Sequence, residues 1–148
     1  MAQKFKFSLE KLLDIRKEKE EESKRKFTKI QKEKQETEQR LDALKENYEK
    51  YNGIRPGEDL IYQKIKKNYL FALNKGIEQT EKELIAKTKE LEVKRKELIQ
   101  KQIERKTVDI LKEKKKVAYY KELDRIEQLQ LDEMALYAYV RNNKSIQN

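Results

Sequence analysis

From Leu9 to Tyr51 the chain places its inward positions four and three residues apart without a slip: Leu9, Leu13, Arg16, Glu20, Ser23, Phe27, Ile30, Lys34, Thr37, Leu41, Leu44, Tyr48 and Tyr51. That rhythm predicts one long helix, from about residue 4 to 52, whose apolar edge lies against a second helix. Asn52-Gly53-Ile54-Arg55-Pro56-Gly57 follows, holding two of the three glycines and the one proline of the chain. It predicts a turn over 53–57, with Gly53 closing the first helix and Pro56 suiting the entry to the next. Helical spacing resumes through Leu60, Ile61, Ile65, Tyr69 and Leu73, then continues in heptads as Ile77, Thr80, Leu84, Lys87, Leu91, Lys94 and Leu98.

The pattern predicts an all-α fold: a long antiparallel two-helix coiled-coil hairpin, residues 1–148 forming one domain. Helix two spans about 58–141, with a flexible tail over 142–148. Gly76 costs about 1 kcal/mol relative to alanine in a helix and marks a candidate kink near 74–76. Beyond Leu98 the register drifts: Ile99, Ile103, Ile110 and Val117 form one stripe, and Tyr119, Ile126, Leu129, Leu136 and Val140 another. Pairing back from the turn exhausts helix one near Lys106. The rest of helix two overhangs at the termini end, and so much apolar surface calls for a partner. Homodimerisation through this overhang is the alternative. Arg16, Glu20 and Ser23 make the middle of the seam polar, and such layers hold weakly.

Composition narrows the class. Charged residues make up 44% of the 148, and mean hydropathy is −1.15. So little apolar mass fills a two-helix seam but not an ordinary globular core. Disorder competes for so polar a chain, but disordered tracts do not keep apolar residues in step over six heptads. Net charge is +9, which invites acidic partners, yet most charge forms i,i+4 pairs with the acid first. Glu20/Lys24, Glu22/Lys26, Glu46/Lys50, Glu83/Lys87 and Glu97/Lys101 are examples, each worth about 0.2–0.5 kcal/mol. The most basic run, Lys112 to Lys116, is broken by Glu113, so nucleic-acid binding is not expected.

Chemistry is nearly excluded. There is no cysteine and no histidine, which removes thiolate nucleophiles, the usual zinc sites and the imidazole of most acid–base mechanisms. The glycines form no phosphate loop, and a thin hairpin offers no cavity to shift a carboxylate pKa. Glu20-Glu21-Glu22 reads as a solvated acidic turn. No catalytic, cofactor-binding or metal-ligating residue is expected, and the chain is not expected to be an enzyme. The longest apolar run, Met134 to Val140, is too short to span a bilayer, and the start lacks a signal-peptide core. A soluble, cytoplasmic protein is expected. Tyr48, Tyr51, Tyr62, Tyr69 and Phe71 gather at the turn, either as a small capping core or as an aromatic patch for a protein partner.

Two blocks carry a family resemblance. Phe5-Lys6-Phe7-Ser8-Leu9-Glu10-Lys11-Leu12-Leu13-Asp14-Ile15-Arg16 resembles the amino terminus of the FliJ family, the small coiled-coil component of the bacterial flagellar type III export apparatus. Tyr69-x-x-x-Leu73-Asn74-Lys75-Gly76-Ile77-Glu78-Gln79 is similar to the start of that family's long second helix. The resemblance implies a stalk like that of rotary ATP synthases. Its termini end enters the hexameric ring of the export ATPase FliI and promotes assembly and turnover. Its other end contacts the export gate protein FlhA, and export chaperones are further partners. It also implies a peripheral location at the cytoplasmic face of the inner membrane. Carried onto this chain, the gate-facing patch is Leu41, Leu44, Tyr48, Tyr69, Leu73, Gly76 and Thr80. The ATPase-facing end is Phe5, Phe7, Leu12, Arg16 and Lys17 with Tyr119, Ile126, Leu129 and Leu136. Leu41 and Leu44 are also seam positions, so they are not both seam and exposed patch. A generic scaffolding coiled coil or an injectisome stalk is the alternative function.

Overall fold

The structure is a computed structural model that describes residues 4–147. Across the described residues the fold is an all-α helical hairpin of two helices, α1 (Glu10–Tyr51, 42 residues) and the longer α2 (Leu60–Ile146, 87 residues). Two compact units divide the chain: residues 18–102 form one, and the residues up to Lys17 with those from Ile103 onward form the other.

In the 18–102 unit the heptad positions turn inward. Ser23, Ile30, Thr37 and Leu41 of α1 are buried, as are Lys66, Leu73, Thr80 and Leu91 of α2. Glu20, Phe27, Lys34, Leu44, Tyr48 and Tyr51 are half-buried, opposite half-buried Leu70, Ile77, Leu84, Lys87, Lys94 and Leu98. The helices run antiparallel in a fixed register. Lys87 Nζ lies 2.7 Å from Glu33 Oε2, Leu44 lies against Gly76, and the Tyr51 and Tyr69 rings meet edge-on at 5.5 Å. In each case residue n of α1 faces residue 120 − n of α2. The weaker Arg40–Glu83 and Lys45–Glu81 ion pairs flank this seam at 3.6 and 3.5 Å. Long charged side chains complete the layers by lying along the seam with their heads in water.

The turn explains where helix two starts. Gly53 and Gly57 both have φ of +88°, a region that side chains other than glycine rarely enter. Glu58 N–H donates to the Arg55 carbonyl at 3.4 Å. With Pro56 second and Gly57 third, residues 55–58 carry the signature of a type II turn. That turn uses up Glu58, so the expected helix start at 58 is corrected to Leu60, with Asp59 accepting the first helical bond from Gln63 N–H at 2.9 Å. Ile61 and Ile65, which carry the helical spacing here, are 68% and 61% exposed. Lys66, Leu70 and Leu73 face the seam instead.

At Gly76 α2 is unbroken, so the candidate kink is no break in the helix. The other end of α2 is also corrected: it runs through Ile146 rather than stopping near Arg141, so 142–146 are helical and not a loose tail. No glycine or proline follows Arg141 to stop it, and Lys144 sits favourably in the last turn. Asn148, the last residue of the expected tail, lies outside the described residues.

In the second unit the expected helix start near Lys4 is corrected to Glu10. Residues 4–7 are irregular, Ser8 and Leu9 form a turn, and Glu10 N–H donates to the Phe7 carbonyl at 3.3 Å. The reason is packing. Phe7 is buried with Leu13 and Val108, and Phe5 and Leu12 pack on that cluster. Burying an aromatic ring outweighs the few helical bonds given up. Arg16 donates to the Glu104 carbonyl at 2.8 Å, and Lys112 Nζ lies 2.9 Å from Glu10 Oε2. The Phe5 ring meets Tyr119 at 5.6 Å. Pairing therefore reaches Tyr119 rather than ending near Lys106. A non-helical stretch advances about 3.3 Å per residue against 1.5 Å in a helix, so the first residues reach further.

Candidate partner-binding surfaces

Among the described residues no group of three or more acidic, cysteine or histidine side chains could hold a metal, and no helix is long and apolar enough to cross a membrane. Exposed apolar side chains gather at the turn in one unit and along the last part of α2 in the other.

At the turn, Lys66 is 8% exposed and its ammonium locks the loop. It donates to the Gly53 carbonyl at 2.6 Å and to Glu58 Oε1 at 3.0 Å, and Arg55 donates to the Lys50 carbonyl at 3.0 Å. The Lys66 hydrogen bond holds the Glu58 carboxyl below its usual pKa, against the opposing effect of desolvation. Glu58 Oε2 is buried and has no hydrogen-bond partner. Beside this lock lies a cavity of about 370 Å³ lined in part by Ile54, Glu58, Leu60, Lys66 and Leu70. Around it Ile54 and Leu60 are 78% and 73% exposed, and Tyr62 and Phe71 are exposed as well. Lys75 Nζ sits 4.7 Å above the Phe71 ring.

The gate-facing residues of the sequence reading separate here. Leu41, Leu73 and Thr80 are buried in the seam, and Leu44, Tyr48 and Gly76 are half-buried. Only Tyr69, 42% exposed, is open to a partner while it also touches Tyr51. The conflict between seam and exposed patch resolves in favour of the seam. The lock was missed in the sequence, although its signal was there: Lys66 stands one heptad before Leu73, an inward place where a lysine needs a carboxylate.

Beside the termini, the expected residues divide in the same way. Phe7 is buried, Phe5, Leu12, Arg16 and Tyr119 are half-buried, and Lys17 is exposed. Phe7 thus belongs to the core that closes this unit, and Phe5 and Leu12 to its packed flank. Past Tyr119, α2 keeps the same four-three count through 122, 126, 129, 133, 136 and 140. Ile126, Leu129, Leu136 and Val140 are 41%, 49%, 63% and 44% exposed. They are seam residues for which α1 supplies no opposite strand. Arg125 and Glu122 pair beside them at 2.6 Å, which holds the Glu122 carboxyl low.

The register does not drift after Leu98, which corrects the sequence reading. Lys101, Arg105, Val108 and Lys112 continue the inward count. Ile99, Ile103, Ile110 and Val117 are exposed, at 47%, 53%, 56% and 58%.

No curated protein and no solved structure matches the chain. The family model described as flagellar FliJ protein matches residues 5–144, nearly the whole chain. With a helical hairpin whose second helix is the longer, and with both resemblance blocks inside the matched span, the chain belongs to the FliJ family and is a component of the flagellar export apparatus.

Proposed function

We propose that this protein is the non-catalytic stalk that couples the export ATPase to the export gate. The observation that carries this reading is the row Ile126, Leu129, Leu136 and Val140. It is one face of a coiled coil left open beside the termini, where a partner's helices complete the layers. In this reading the partner is the hexameric ATPase FliI. Phe5, Phe7, Leu12 and Arg16 brace the open face from within the unit, and Lys17 and Tyr119 stand at its edge. The stalk promotes ring assembly and turnover and performs no catalysis itself. The exposed aromatic and aliphatic residues at the turn, Tyr69 among them, face the gate protein FlhA. Leu41, Leu44, Tyr48, Leu73, Gly76 and Thr80 support that surface from the seam. Export chaperones complete the partner set, and the protein works at the cytoplasmic face of the inner membrane, held there by the apparatus.

Purified chain added to purified export ATPase should raise its turnover and its oligomerisation. Deleting residues 121–148 should abolish both effects while leaving the paired helices intact by circular dichroism. An ATPase indifferent to the full-length chain would refute the coupling role.

A further inference from the structure

The back of α2 carries a feature that the stalk reading does not use. Ile103, Ile110 and Val117 recur every seven residues, on the side of the helix turned away from buried Val108 and from Lys112, which is paired to Glu10. With Lys106, Glu113 and Tyr120 between and after them, the positions count 103, 106, 110, 113, 117 and 120, again spaced three and four apart. The four apolar members are 46–58% exposed. One helix therefore bears two seams: one spent on α1, the other open over about five turns.

We propose that this outward face, Ile103 to Tyr120, is a second coiled-coil seam that takes an acidic amphipathic helix from another protein. The spacing selects a helix. A stripe one residue wide with a seven-residue repeat is the shape of a knobs-into-holes contact, whereas a helix lying on lipid needs a broad apolar face. The charges select its sign. Lys106, Lys114, Lys116 and Lys121 are exposed around the stripe, and none forms an ion pair among the described residues. The nearby acids are fewer, and one of them, Asp109, is held by Arg105 at 2.6 Å. A second copy of this chain would set lysines against lysines. A partner with glutamates flanking its own apolar positions meets them with opposite charge, which favours encounter and register.

The probe is a monomeric four-heptad peptide with leucine at its inward positions and glutamate at the flanks, compared with a twin carrying lysine at the flanks. Fluorescence anisotropy against the full-length chain at low salt should show saturable binding of the acidic peptide. The lysine twin, and the acidic peptide against Ile110→Asp, should each bind at least about tenfold more weakly, which is about 1.4 kcal/mol. Lys106→Glu with Lys114→Glu should weaken binding in the same direction, and Val117→Asp provides a second apolar test. Circular dichroism should be unchanged, because these side chains face solvent. Ile110→Asp should also leave ATPase stimulation intact, which separates this face from the stalk reading. Equal binding of both peptides, or unchanged binding by Ile110→Asp, would overturn the proposal. So would an Ile110-dependent dimer of the chain alone in sedimentation, or Ile110-dependent capture by phosphatidylglycerol vesicles in place of the peptide.

Discussion

Gly76 stands directly opposite Leu44: a methyl group built at residue 76 would lie 3.9 Å from Leu44 Cδ1. That is ordinary van der Waals contact, and residue 76 lies well inside α2. Glycine there costs helix propensity without relieving any clash. Gly76→Ala should therefore stabilise the protein by about 1 kcal/mol, read as a higher midpoint in urea followed at 222 nm. A lower midpoint would mean the seam needs closer approach than this geometry indicates.

Leu13 is fully buried, whereas Leu129 is 49% exposed although both occupy seam positions. Leu13→Ala should cost about 2–5 kcal/mol, the usual range for emptying a core leucine site. Leu129→Ala should change stability by no more than about 0.5 kcal/mol. Equal losses would show that Leu129 is already covered within the free chain.

The turn depends on the Lys66 ammonium, which bridges the Gly53 carbonyl and Glu58. Lys66→Met keeps the length of the side chain but strands a buried carboxylate, and removing one partner of a buried pair is costly. Its melting temperature should fall clearly below that of Lys64→Met, an exposed neighbour. Lys66→Met combined with Glu58→Gln should recover part of the loss, since no charge is then left unpaired.

Stability should plateau at intermediate pH. Hydrogen bonds from Lys87 and Lys66 hold the Glu33 and Glu58 carboxyls below their usual 4.5. A carboxyl with a lowered folded pKa stabilises above its unfolded value, and that contribution is lost as pH falls through the folded one. Lys87 and Lys112 are raised above their usual 10.5, chiefly by hydrogen bonds to Glu33 and Glu10. Their contribution is complete below the unfolded value and is lost as pH rises through the folded one. Urea midpoints should fall below about pH 4.5 and again above about pH 10.5, with Glu33→Gln flattening both limbs.

The inward edge of α1 was legible in the sequence because four-three spacing is geometry written directly into residue order. From Leu13 to Tyr51 each of the expected positions is buried or half-buried. Past Leu98 the eye follows isoleucines, but the seam follows Lys101, Arg105 and Lys112, whose aliphatic stems pack while their heads stay wet. Apolar spacing therefore pointed to the wrong face. At the turn the conspicuous apolar residues Ile61 and Ile65 are likewise exposed, and the inward place belongs to Lys66. The true start of α1 was not legible because it depends on Phe7 reaching Val108, a contact a hundred residues away in sequence. For the candidate surfaces, the open row beside the termini was visible as an excess of apolar residues. The accessible part of the turn was not, because burial of Leu41, Leu73 and Thr80 is decided by the partner helix.

In the proposed function the uncovered seam row acts on the ATPase. A variant carrying Ile126→Ser, Leu129→Ser, Leu136→Ser and Val140→Ser, compared with wild type, measures this through steady-state ATP turnover of the export ATPase. Stimulation should be lost while helicity and the urea midpoint stay near wild type. Full stimulation by the four-serine variant would contradict the proposed function.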